Sequence, residues 1–132
     1  MAYMRITMDG TTYRVRLKYD TMLRHFDIIQ GPNAGPMLAG NEEFDDAGTG
    51  FTYQMAVEPD PEYLSDYYSF YEAITTPGVT HTITLPYNGA TITYEAKVLS
   101  GDDTFGGKLS GQNLWNGLTV QYRYVAPQKE VT

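Results

Sequence analysis

The residues of this 132-residue chain that could do chemistry are few and scattered. There is no cysteine, which excludes disulfides, thiolate metal sites and cysteine nucleophiles. His25 and His81 are the only histidines; each falls in a strand-like stretch, outside any helical His pair or zinc-ligand spacing. Asp102 and Asp103, in "SGDDTFGGK", lack the alternating oxygen ligands and terminal Glu of a calcium loop and read as a solvated turn. "EPDPE" and "NEEFDD" hold carboxylates of the kind that serve as general acid and base, a role that needs a cleft and a raised pKa. "GPNAG", residues 31–35, has no following Lys-Ser or Lys-Thr and opens no helix, so it does not cradle a phosphate. No serine sits in a nucleophile-elbow sequence. The expectation is a non-enzyme with no catalytic residue, no metal and no cofactor.

The net charge of −7 is uneven: residues 1–40 carry +2, residues 41–103 carry −11 and residues 104–132 carry +2. A phosphate backbone is bound by clustered Lys and Arg, so no specific nucleic acid is expected as partner. No run of eighteen apolar residues occurs, and Met1 to Gly10 carries Arg5 and Asp9 with no apolar run of signal length. The expectation is a protein made in the cytoplasm, with no membrane partner. The length suits a single structural domain over residues 1–132, with a long loop at 31–50 and a polar C-terminal tail at 127–132.

Period-two alternation dominates the elements that must position these residues. In "TTYRVRLKYD", Tyr13, Val15, Leu17 and Tyr19 share one face and Arg14, Arg16 and Lys18 the other, as a half-buried strand requires. "YMRITM" joins it through Asp9-Gly10, a two-residue hairpin turn, and "MLRHFDIIQ" follows as a third strand. Residues 31–50 are too rich in Gly, Pro, Asn and Asp for a regular element; a loop of that length is usually either functional or disordered until bound, which makes it the best candidate contact surface. "FTYQMAVE" turns Phe51, Tyr53, Met55 and Val57 inward. "VTHTITLPY" and "ATITYEAKV" flank Asn88-Gly89 as a second hairpin; a glycine-rich connector at 100–113 then leads to the last strand, "GLTVQYRYV".

One helix is expected, in "PEYLSDYYSFYEAITTP", capped by Asp60, opened by Pro61 and stopped at Pro77-Gly78. Tyr63, Tyr67, Phe70, Tyr71 and Ile74 form its apolar stripe, with Leu64 and Tyr68 widening it and Ser65, Asp66, Ser69 and Glu72 opposite. The stripe should turn inward onto the sheet; an open groove lined by those rings would call for a ligand instead. The fold class is mainly β with one α-helix, an antiparallel β-sandwich or split barrel packed by that helix.

The run of "DGTTYRVRLKYD", "GPNAG", "YEAITTP", "HTITLPYNGATITYEA" and "LWNGLTVQYRYVAPQ" resembles a group of short proteins encoded among the tail genes of phages and prophages of Firmicutes-type gut bacteria, over about residues 4 to 128. The strand order, with a single helix before a later hairpin, is similar to the tail-tube fold of tube and distal-tail proteins. The resemblance implies a virion structural protein of the tail, as tube, connector or baseplate component. It also implies assembly with itself into a ring, commonly hexameric in that family, and contact with other tail proteins. The candidate subunit interface pairs the basic strand face, Arg14, Arg16 and Lys18, with the acidic loop, Glu42, Glu43, Asp45 and Asp46, around Phe44 as anchor. The alternative is a small β-sandwich binding module for carbohydrate, using exposed tyrosines or Trp115 as stacking surfaces.

Overall fold

The computed structural model describes residues 3–30, 35–36, 42–43 and 46–130. Alternation builds β1 (Tyr3–Met8) and β2 (Thr11–Lys18), which bury Ile6, Met8, Val15 and Leu17 and pair antiparallel. Asp9 and Gly10 connect them with φ of 56° and 80°, the left-handed pair that a two-residue hairpin demands. A 3-10 turn at Tyr19–Thr21 leads into β3 (Leu23–Gln30). β4 (Gly35–Pro36) and β5 (Glu42–Glu43) pair with each other.

The inward residues of β6 (Asp46–Pro59), namely Phe51, Tyr53, Met55 and Val57, are buried as their alternation requires. The strand starts earlier than the loop-like composition of 31–50 suggests, because its glycines are close-approach positions. A Cβ on Gly50 would lie 2.5 Å from the ring of Tyr124, and one on Gly48 would meet the Lys129 carbonyl and Pro127. Tyr124 lies on β9 (Gln112–Tyr124), and Lys129 on β10 (Lys129–Glu130), which pairs with Gly48 and Thr49. The polar C-terminal segment is thereby tied to the sheet as far as Glu130, and the Gln128 Oε1 accepts from the Phe51 amide at 2.8 Å.

β7 (His81–Pro86) and β8 (Thr91–Leu109) form the second hairpin. Its turn is closed by the Tyr87 amide donating to the Ala90 carbonyl at 2.9 Å, with neither Asn88 nor Gly89 in the left-handed region. Residues 100–113 correct the connector expectation: they complete a long β8–β9 hairpin, turned at Ser110 and Gly111 with φ of 49° and 80°. The glycines read as a connector because they serve irregular pairing. The register shifts between Val98 and Gly101, Asp102 and Thr104, and Phe105 and Lys108, and a Cβ on Gly101 would approach the Thr119 carbonyl oxygen to 2.7 Å.

The antiparallel pairings β1–β2, β2–β6, β6–β9, β9–β8, β8–β7 and β7–β1 run in a closed circuit, so the sheet is a barrel. Among the described residues β3 stands outside that circuit, paired with β6 alone. A 3-10 turn, Pro61–Tyr63, and helix α1 (Leu64–Ile74) follow β6; the Asp60 Oδ1 caps the turn by accepting from the Glu62 amide at 3.1 Å. The helix buries Leu64, Tyr67, Phe70 and Ile74, of which the last three join Val15, Leu17, Met55, Tyr94, Val120 and Tyr122 in one core. Phe70 meets Tyr13 of β2 edge-on, with ring centroids 5.4 Å apart.

Candidate functional site

The helix stripe divides. The buried line of the α-helix is Leu64, Tyr67, Phe70 and Ile74; Tyr71 lies on its flank, and Tyr68 packs half-buried at the edge of the core. Tyr71 is 37% exposed. The inward-turning expectation therefore holds for Tyr67, Phe70 and Ile74 and is corrected for Tyr71, while Tyr63 lies under the Arg14 guanidinium, 4.0 Å from its ring centroid.

What Tyr68 and Tyr71 face is the far half of the β8–β9 hairpin. The Tyr67 hydroxyl donates to Asp103 Oδ2 at 2.9 Å, and the Tyr68 hydroxyl donates to the Asn113 carbonyl at 2.6 Å. These two bonds fix the helix to the hairpin. Across its other flank, the Arg14 backbone amide and Nε donate to Asp66 Oδ2 at 2.8 and 2.9 Å, fixing the helix to β2. Between helix and hairpin runs a groove of about 670 Å³, in which Tyr68, Tyr71 and Glu72 face Lys108, Gln112 and Trp115. Phe105 holds Trp115 from its own strand pair, edge-on at 5.2 Å between centroids. Burial, and then the bond to Asp103 and its charge, push the Tyr67 hydroxyl far above the ordinary tyrosine range, so it stays a donor on the groove floor. Trp115 and the tyrosines were visible in the sequence as stacking candidates. Asp103, Lys108, Gln112 and Asn113 were not, because the hairpin that lifts them toward the helix reads as a connector; the Ser110-Gly111 turn was its one available signal.

The basic strand face is occupied within the chain. Arg14 binds Asp66, Lys18 Nζ lies 2.8 Å from Glu58, and Arg16 lies 3.6 Å from Asp60, which also holds Arg5 at 2.9 Å. The acids that complement this face come from β6 and the helix start, a part of the acidic middle other than the loop. On the loop side, Phe44 and Asp45 lie outside the described residues; Glu42 and Glu43 form β5, and Asp46 opens β6.

The two histidines stay apart. His81 is buried with Nδ1 2.7 Å from Asp9 Oδ2, and Asp9 Oδ1 accepts from the Thr82 amide at 2.8 Å. Exposed His25 pairs with Asp27 at 3.1 Å. Among the described residues no group of three His, Asp or Glu side chains is placed to hold a metal ion, and no helix is long and apolar enough to cross a membrane.

A second surface lies on β3. Phe26, 60% exposed, and Ile28, 49% exposed, share one face, and Leu23, 60% exposed, lies on the other, on a strand with one unpaired edge among the described residues. Phe26 pairs in register with Phe51, yet Phe51 is buried and Phe26 is not, because the β3–β6 ribbon extends past the barrel wall. Comparison with protein-family models, with curated proteins and with solved structures found no match to any of the three.

Proposed function

We propose that this chain is a structural subunit of a phage or prophage tail, acting by self-association and by contact with other tail proteins. The observation that carries the assembly part of this reading is the β3 ribbon. Phe26 and Ile28 are exposed on one face of β3 and Leu23 on the other, and among the described residues one edge of that strand is unpaired. Such an edge is a template for pairing with another chain and is normally blunted by charge or proline. Leu99, Phe105 and Leu109 of the long hairpin supply further exposed apolar area for neighbours, with Phe105 49% exposed. A closed barrel plugged by a helix gives such a subunit a rigid body from which ribbon and hairpin project. The tail assignment itself rests on the resemblance of the quoted motifs to tail-gene products. Because Arg14, Arg16 and Lys18 already have acidic partners within the chain, the ribbon is the stronger interface candidate than the basic strand face.

The test is direct. Antibody raised against the chain is applied to tailed particles released from the bacterium that encodes it, and labelling is read by electron microscopy. Label at a fixed position along the tail is expected; particles that lack the chain, by label and by mass spectrometry, would overturn the assignment.

A further inference from the structure

We propose that the groove between α1 and the β8–β9 hairpin is a binding site for a neutral oligosaccharide, an inference independent of the tail reading. Its walls include three aromatic side chains, Tyr68 and Tyr71 on the helix side and Trp115 on the hairpin side. The Tyr67 and Tyr68 hydroxyls are already committed to Asp103 and Asn113, which leaves Tyr68 to present its apolar ring and fixes the groove's width by two hydrogen bonds. The same groove is lined by two carboxylates, Glu72 and Asp103, by Lys108 and by Gln112.

A sugar ring is apolar on its C–H faces and carries donor-acceptor hydroxyls around its rim. Aromatic faces take the first, and carboxylates, amides and an ammonium take the second. Two acids to one base disfavour an anionic ligand. The volume of about 670 Å³ lies within the range of small-molecule sites, enough for a short oligosaccharide. An extended proline-rich peptide also docks on aromatic grooves, but it offers few hydroxyl or amide donors to the pair of carboxylates.

Trp115 is the chain's only tryptophan, so its emission reports this groove alone. The full chain is titrated with maltotriose, cellotriose and chitotriose, and with a decaproline peptide as competitor class. A saturable change in Trp115 emission with at least one trisaccharide is expected. Tyr71→Ala should weaken it about tenfold, the loss of one stacking face, with thermal unfolding little changed because Tyr71 is already partly exposed. Glu72→Gln, an exposed conservative change, should weaken it less. No saturable change with any trisaccharide up to about 10 mM would overturn the proposal, since weaker binding is not a built site. So would equal binding by Tyr71→Ala, or saturation by decaproline alone. The two readings have separate readouts, Trp115 emission here and mass there, so failure here leaves the assembly reading standing, and the reverse.

Discussion

Asp60 accepts from the Glu62 amide, faces Arg5 at 2.9 Å and Arg16 at 3.6 Å, and is 4% exposed. Burial pushes its carboxyl up, but the amide and the two guanidiniums outweigh burial and hold it below the usual carboxylate range. Asp66 is lowered by its bonds to Arg14; burial pushes Asp9 up, but the bond to His81 and the Thr82 amide outweigh it and leave Asp9 lowered as well. A carboxylate whose pKa is lower folded than unfolded adds stability that is fully present above the unfolded value, about 4, and is lost as pH falls through the folded values. The urea midpoint should therefore hold steady from pH 7 to about 5 and drop below about pH 4. In Asp60→Asn part of that acid-side drop should disappear; an unchanged slope would mean that Asp60 is not charged and paired in the fold. Asp60→Ala removes cap and ion pairs together and should cost about 2 to 4 kcal/mol in urea unfolding at pH 7. The cap was legible from Asp60-Pro61-Glu62 alone. The ion pairs were not, since they depend on the hairpin register that brings Arg5 and Arg16 to the same end of the sheet.

At the scale of elements, neighbours on the helix have opposite duties. Phe70 is fully buried against Tyr13, whereas Tyr71 edges the groove. Phe70→Ala should cost about 3 to 5 kcal/mol of stability, by lost burial and cavity, and Tyr71→Ala less than about 1 kcal/mol. Equal costs measured by chemical denaturation would contradict the division of the stripe. Gly50 gives a second test. Gly50→Ala forces a methyl into the Tyr124 ring and should destabilise by about 1 to 3 kcal/mol, with a partial rescue in Gly50→Ala/Tyr124→Ala if that ring is the obstacle. Strand alternation, the Asp9-Gly10 turn and the capped helix were readable because each is written in adjacent residues. The β6 extension and the β8–β9 hairpin were not. Glycines there answer to Tyr124, Lys129 and Thr119, partners distant in sequence, and a local reading takes the same glycines for loop. The helix stripe departs from the expectation only at its margins: Tyr63 falls in the 3-10 turn before the α-helix, and Tyr71 sits at the edge of the buried face.

For the whole molecule, barrel closure removes the edges of the strands in the circuit; of the strands outside it, β3 is the long one, with Phe26 and Ile28 exposed. The β-rich class with one packing helix was legible from periodicity. Closure was not, because the β6–β9 and β1–β7 pairings join strands far apart in sequence. If the ribbon is an assembly surface, Phe26→Asp/Ile28→Lys should abolish association and leave the fold intact, since both side chains are exposed and the barrel does not include them. The most direct measurement is static light scattering of wild type and this double variant over a concentration series. For the wild type the account predicts a mass that rises with concentration to a fixed multiple of 14.8 kDa, and for the variant 14.8 kDa throughout. A wild-type chain that stays at 14.8 kDa at every concentration, or a variant that assembles as well as wild type, would contradict it.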